Sequence, residues 1–489
     1  MTASLITPRN LKEPSYADAM IPVVTLIVLV AGGVYLFGLD AVDGPMQVAL
    51  IISGAVTILI ILKNGYSWEE VAKCSSTALG SVVTPFFILF SVGALIATWN
   101  MSGTIPTLVF YGIQLLHPSY FYVAAFVICS LISLGIGSSW TTAGTMGVGL
   151  VGLAIMVGVS PAITAGAVIS GSYVGDKLSP LSETTVLTAE LVNINIFTHL
   201  RAMFWSAGPA FIVALVVFML LSLREGGIVH NVDTASELSK LNQFFWITPL
   251  NLIPLLVLLV LSFRKAPPYL AILGSAGLAG VMAPILQPQA MAHIVGDWRL
   301  SAPLADIKGI WLVMANGYHV NTGIKEVDSL LSRGGMRSML PTLWIIIGAV
   351  VFGTLLEEFS LLAKLINPIL ERAQTTGRLI AAVVATAVGL NIIAADQYIA
   401  LVLPARLFRV SFQKRSLKPQ NLSRACADAG TVTSPLVPWN SCGAYMAGAL
   451  SVPTMLYLPF CIFNISAPII SLLLGFTGFK IEPIPPVDR

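Results

Sequence analysis

Gly175-Asp176-Lys177-Leu178-Ser179-Pro180-Leu181-Ser182-Glu183-Thr184-Thr185 is a polar, helix-breaking stretch set in otherwise apolar sequence. The chain repeats the theme at Gly430-Thr431-Val432-Thr433-Ser434-Pro435-Leu436-Val437-Pro438-Trp439-Asn440, with both the Gly and the Ser-Pro-Leu displaced by 255 residues. Apolar segments of membrane-span length flank each copy. Irregular backbone at membrane depth is tolerated only where it is buried in protein or lines a cavity. A duplicated broken helix of this kind is how secondary transporters hold a solute near the bilayer midplane.

Composition supports a membrane setting. Of 489 residues 56% are hydrophobic and only 10% charged, against about 25% charged in soluble domains. Apolar runs fall at about 20–39, 45–62, 80–99, 119–136, 145–170, 202–223, 245–262, 269–287, 340–356, 379–404, 440–450 and 454–476. Most can cross about 30 Å of hydrocarbon. The runs do not alternate as barrel strands would, so an all-α polytopic membrane protein is expected. No cleavage site follows the first run, which reads as a retained helix rather than a signal peptide. The net charge of +3 carries no sign of nucleic-acid binding. The five cysteines (Cys74, Cys129, Cys426, Cys442 and Cys461) lack zinc-ligand spacing and read as buried small hydrophobes.

The echo reaches beyond the Ser-Pro-Leu motif. Pro85 and Gly93-Ala94 return as Pro341 and Gly348-Ala349, and the polar run Ser138-Ser139-Trp140-Thr141-Thr142 returns near Asn391, Asp396 and Gln397. Two halves are therefore expected, 1–225 and 240–489, the second carrying an extramembrane insertion at 288–339. The interrupted segments at about 119–157 and 378–410 are either two crossings each or one re-entrant hairpin each, and the distribution of positive charge selects hairpins. Each half then holds five spans, one of them broken, plus one hairpin. An odd span count inverts the halves, as alternating access commonly uses. With cytoplasmic termini this arrangement puts 18 of the 26 Lys and Arg on the cytoplasmic side, as the positive-inside rule requires.

Charges within apolar text are few: Asp176, Lys177, Glu183, Glu190, Glu357, Glu358, Asp396 and Asp428. A charge at the bilayer centre costs at least about 2.5–3.5 kcal/mol, so each should be near a span end, paired, or functional. Asp176 reads as a cation or proton ligand tuned by Lys177, in unwound backbone; the alternative is a structural Asp176–Lys177 ion pair. Hydroxyls and carbonyls around Gly175, Ser179, Ser182 and Thr184 add hard oxygen donors. Glu183 either lines the same cavity or caps the following half-helix. Asp396 is an N-cap that would aim a helix terminus into the site, and Asp428 is either a ligand or the partner of Arg424. Ser138, Ser139 and Thr141 at the first hairpin tip complete one oxygen cluster. Asn391, Thr431, Thr433, Ser434 and Asn440 form the other. The Na+ ligands expected are Asp176, Ser179, Ser139 and Asp396. His117, His199, His230, His293 and His319 read as surface residues, and Trp99 and Trp205 as interfacial anchors.

Together these motifs resemble the NhaC family of Na+/H+ antiporters. The likeness is carried by Gly175–Thr185, Ala395-Asp396-Gln397-Tyr398, Asn421-Leu422-Ser423-Arg424, Gly430–Leu436 with Pro438-Trp439-Asn440, and Cys442-Gly443-Ala444-Tyr445-Met446. Gly93-Ala94-Leu95-Ile96 and Ser102-Gly103-Thr104 add to it, so that it spans about 20–478. Glu183 stands where many relatives have Asp, which keeps the carboxylate and moves it by one methylene. The resemblance implies paired hairpins, broken helices and exchange of Na+ for H+ across a bacterial inner membrane. Competition between Na+ and a proton for one buried carboxylate would yield antiport. Some members resemble malate/lactate exchangers, so a Na+/H+-coupled organic-acid antiporter is the rival reading. A membrane-embedded aspartyl protease would need Gly-x-Gly-Asp; Tyr173 stands in place of the first Gly, and no enzyme is expected. No cofactor is expected beyond the transported ions. The partners expected are Na+, H+, the bilayer and a second copy of the chain.

Overall fold

The computed structural model describes residues 11–228, 244–294, 301–319, 328, 332 and 334–484. Arg9, Lys240, Arg299, Lys325, Arg333 and Arg489, which enter the charge count, lie outside these residues, as does His230. Among the described residues every regular element is helical, and one isolated bridge joins Leu417 to Pro483. Among the described residues nine helices are long and apolar enough to cross a membrane; a tenth candidate is the pair Thr454–Phe460 and Ile462–Thr477, bent by 55°. The all-α polytopic expectation holds.

The chain opens with α1 (Tyr16–Phe37), which starts on a Ser15–Asp18 capping box, and α2 (Pro45–Lys63). Next comes α3 (Trp68–Met101), whose 34 residues reach about 51 Å at about 1.5 Å each. A short α4 (Thr104–Leu115) leads to the first interrupted segment, α5 (Phe121–Ile136), α6 (Ser139–Thr142) and α7 (Val148–Val157). The apolar run at 145–170 is not one element. Gly158 turns left-handed at φ +77° and Ser160 caps a new helix, so hydropathy alone merges the end of α7 with the start of the next helix. That span is α8 (Pro161–Leu178) followed by α9 (Glu183–Leu191), and α10 (Ile196–Ile228) ends the half.

The second half runs through α11 (Ile253–Phe263), α12 (Pro268–Leu286), α13 (Pro288–Ile294), α14 (Ala302–Asn316), α15 (Leu340–Glu358) and α16 (Leu361–Arg372). Its hairpin is α17 (Thr376–Ile393) and α18 (Gln397–Lys414). The second broken span is α19 (Pro419–Cys426), a wide turn at Ala427–Thr431 and α20 (Ser441–Leu450). A short α21 (Thr454–Tyr457) and α22 (Ile462–Thr477) close the chain. The segment expected as an insertion thus contains α14, which packs on α3. There the Gly335 amide donates to the Gly93 carbonyl at 2.6 Å.

Packing divides into two groups. α1, α2, α3, α12 and α15 pack on one another, as do α5, α8, α10, α17 and α22. Trp99 is not an interfacial anchor: it is 1% exposed and its Nε1 donates to Ser275 Oγ at 3.1 Å. Trp205 is 39% exposed and lies under the Lys480 ammonium. All five cysteines are free and buried.

The end of the chain straps the α18–α19 turn. Lys418 N–H donates to the Glu482 carbonyl at 3.0 Å, and the Asn421 side chain pairs with both backbone groups of Glu482. Lys418 Nζ and Gln420 Nε2 each meet Glu482 Oε2 at 2.9 Å. The Lys418 ammonium holds the Glu482 carboxyl below its ordinary value of 4.5. A depressed carboxylate stabilises the strap above its unfolded pKa and stops doing so as pH falls through the folded one. Hydrogen exchange at the Glu482 and Ile484 amides should therefore quicken as pH falls below 4.5, after correction for intrinsic rates. Glu482→Gln should give fast exchange at neutral pH already; unchanged protection in that variant would rule the strap's charge out.

Candidate functional site

Both hairpins turn by the same device. Gly137 (φ +78°) and Ala395 (φ +54°) take left-handed backbone, and the next residue, Ser138 or Asp396, caps a new helix. A Cβ on Gly137 would lie 2.7 Å from the Leu181 carbonyl carbon, so glycine is needed both for its φ and for this close approach. Ser182 caps α9 and Asn440 caps α20. Four N-caps therefore lie at the four breaks, which is the physical origin of the polar text there.

The first hairpin tip meets the first broken helix at Asp176. Ser139 Oγ donates to Asp176 Oδ2 at 2.7 Å; Ser182 Oγ and Thr184 Oγ1 donate to Oδ1 at 2.7 and 3.1 Å. The Asp176 carbonyl accepts from the Thr185 hydroxyl at 3.0 Å and, in place of Oδ1, can take the Thr184 hydroxyl at 3.2 Å. Asp176 is 6% exposed. A hydroxyl that donates to a carboxylate keeps its lone pairs, so this cage offers several hard oxygens around one negative charge. No group of three His, Cys, Asp or Glu that could hold a metal occurs among the described residues. One carboxylate among hydroxyls matches the oxygen chemistry of a hard, weakly charged cation.

The second tip repeats the contact without the charge. Asn391 Nδ2 donates to the Gly430 carbonyl at 2.8 Å and to Thr433 Oγ1 at 3.0 Å, and Asn440 Nδ2 donates to Asn391 Oδ1 at 3.1 Å. Ser434 Oγ lies 3.0 Å from Gln397 Oε1 and 2.8 Å from the Thr431 carbonyl, either of which can accept its single proton. The two clusters are joined: Tyr173 Oη and Ser434 Oγ lie 3.3 Å apart, and Tyr445 Oη donates to the Trp140 carbonyl at 2.8 Å.

Several expectations need correction. Asp176 and Lys177 are not in unwound backbone; they end the regular α8, and the break is Ser179–Ser182. Neighbours on a helix do not face each other, so they do not pair. Lys177 instead forms an ion pair with Asp428, both side chains 0% exposed. Asp428 is thereby not the partner of Arg424, whose Nη1 donates to the Lys480 carbonyl at 3.1 Å. Of the four expected Na+ ligands only Asp176 and Ser139 touch. Ser179 Oγ accepts the Leu181 amide at 3.2 Å, closing the turn. Asp396 Oδ1 accepts the Tyr398 and Ile399 amides at 2.9 and 3.0 Å, the capping role. Glu183 is exposed in the first turn of α9, where it complements the helix dipole. Ser138 Oγ accepts from the Thr141 hydroxyl at 3.0 Å, within the tip rather than on Asp176. His199 is fully buried, not a surface residue, with Nδ1 2.9 Å from Ser423 Oγ. Tyr173 and Gln397 were not expected at the site, whereas Ser182, expected among its oxygens, both caps α9 and donates to Asp176.

Buried oxygen donors at paired hairpin tips and broken helices, in a polytopic helical protein, define a secondary transporter. The chain belongs to the Na+/H+ antiporter family, whose model matches residues 14–195 and 171–479. The Na+/H+ antiporter NhaC of Alkalihalophilus pseudofirmus is 32% identical over 439 residues, 89% of this chain and 90% of its own. The malate-2H+/Na+-lactate antiporter of Bacillus subtilis is also 32% identical, over 94% of this chain and 96% of its own. The arginine/ornithine antiporter ArcD of Halobacterium salinarum is 32% identical over 96% and 93%.

Proposed function

We propose that the protein exchanges Na+ for H+ across a bacterial inner membrane, with Na+ held by Asp176 and the hydroxyls of Ser139, Ser182 and Thr184. The observation that carries this is the caged carboxylate beside a lysine that is already neutralised. An organic-acid exchanger would face its cargo's carboxylate with a helix N-terminus and, for a strong hold, a cation at the site. Lys177 is spent on Asp428, which favours the inorganic cation over the organic acid.

The reading includes two inverted repeats, 1–225 and 240–489, with cytoplasmic termini. Its support is the spacing of elements. α17 begins at Thr376, 255 residues after α5 begins at Phe121, and the break at Ser434 lies 255 after that at Ser179. The same offset carries α2 onto α14. Cysteine labelling at an introduced site at 415 decides the orientation: reaction from outside would sink the inverted topology.

The test is a proteoliposome assay with an internal pH dye, stepping Na+, Li+, K+ and malate in turn. A Na+ step should drive proton movement without any organic acid. Proton movement that requires malate would overturn the reading in favour of the carboxylate exchanger.

A further inference from the structure

The Lys177–Asp428 pair has a lopsided environment. Lys177 and the Ser206 hydroxyl (2.7 Å) both engage Asp428 Oδ1. Oδ2 is buried with no hydrogen-bond donor among the described residues. The Asp176 carboxylate is the opposite case, since both its oxygens accept from hydroxyls. His199 shares the feature of Asp428: Nδ1 is held by Ser423, and Nε2 is buried without a partner. Such orphaned atoms are costly in a protein interior and demand an explanation. His199 and Ser206 are seven residues apart on α10, so they lie on one face two turns apart. His199 is also within one turn of the exposed Asn195, Phe197 and Thr198 at the start of that helix. The remaining ionisable groups near Asp428 are Arg424, which is held by the Lys480 carbonyl, and the buried Cys426 thiol.

We propose that the exchanged proton sits on Asp428 Oδ2, not on Asp176, and that His199 relays it between Asp428 and the membrane face at the start of α10. This rests on the Na+/H+ reading above. A proton accepted at His199 Nε2 makes an imidazolium whose Nδ1–H donates to Ser423 Oγ. Passing that proton to Asp428 Oδ2, directly or through one water, restores the neutral ring and converts the carboxylate to an acid. Lys177 keeps its proton, and the Phe463 ring, centred 5.5 Å from Nζ, supports the released ammonium.

Charge neutrality then couples the ions. With Na+ at Asp176 and Asp428 ionised against Lys177, these three side chains and the ion sum to zero; the buried Arg424 guanidinium, which also interacts with Glu482, carries the same charge in every state. With Asp176 empty and Asp428 protonated the sum is again zero. Both ions together leave +1 and neither leaves −1, and an uncompensated charge in this setting is strongly disfavoured. Na+ and H+ exclude one another without sharing an oxygen.

The test measures two activities in proteoliposomes: sodium-for-sodium exchange with labelled Na+, which needs no proton seat, and Na+-driven proton movement. Asp428→Asn together with Lys177→Met removes the seat while keeping the core balanced. The pair should retain sodium-for-sodium exchange and lose Na+-driven proton movement at least tenfold. His199→Asn preserves a group at the Nδ1 position for Ser423 but lacks Nε2, and should slow proton movement at least tenfold. Added imidazole should restore it in His199→Ala, which a merely structural histidine would not show. Full proton movement in either variant would overturn the proposal. So would loss of both activities in folded protein, which would make the cluster structural, and so would His199→Ala that imidazole leaves unchanged. Wild-type protein that moves no proton on a Na+ step fails the Na+/H+ reading itself, a separate result.

Discussion

Asp176→Asn is expected to abolish Na+-dependent proton movement at every pH tested while leaving the protein inserted and folded. The amide has the size of the carboxyl group, and the hydroxyls of Ser139, Ser182 and Thr184 can rotate to accept from it or donate to it. A neutral amide also costs less to bury than a charge. What disappears is the negative charge that replaces the cation's water. Losing about 3 kcal/mol of charge-assisted binding corresponds to roughly 100-fold, a lower bound when the charge is the only one in the cage. Asp176→Glu keeps the carboxylate but pushes it one methylene into the hydroxyls, so it should retain part of the exchange. Proteoliposome exchange rates, normalised to inserted protein, measure both. Full exchange by Asp176→Asn would move the cation out of this cage.

Gly175→Ala should be nearly as damaging for a different reason. A Cβ there would run into the backbone of Ser133 and Leu134 on α5, and one on Gly171 into the Phe126 carbonyl. Small residues on one face let two membrane helices approach this closely, and here the approach is what brings Ser139 to Asp176. Overpacking of this kind costs about 1–3 kcal/mol, and it wedges α5 from α8 beside the cage. Thermal unfolding in detergent should fall by several degrees, on the scale of about 1 kcal/mol for each few degrees, and exchange should drop at least about tenfold. Gly389→Ala is the control, because nothing lies within 4 Å of its added Cβ. If Gly175→Ala behaves like Gly389→Ala in both assays, the close approach does not set the site.

Much of the architecture was readable in one dimension. Apolar length marked the spanning helices, since a helix must cover a fixed thickness. Polar breaks marked the tips, because four helix N-termini at membrane depth each need a capping oxygen: Ser138, Ser182, Asp396 and Asn440. The Gly–Ser-Pro-Leu echo related the two broken segments, whose tip contacts run parallel, Ser139 to Asp176 and Asn391 to Thr433.

Partner choice was not readable. Lys177 finds Asp428 and not its neighbour Asp176, His199 is buried on Ser423, and Trp99 is buried on Ser275. In a soluble helix the polar face points outward and the apolar face inward, so sequence reports orientation. Lipid is as apolar as the protein interior, and these helices are apolar on every side. Their rotation is therefore set only when neighbours pack. Adjacent residues at the end of α8 diverge because the helix turns between them, and what each then meets comes from α6, α9 and the turn after α19. Sequence by itself determined that an oxygen-rich break, charged in its first copy, would be buried in two places. Only the tertiary structure decided that one carboxylate is caged by hydroxyls and the other paired with a lysine.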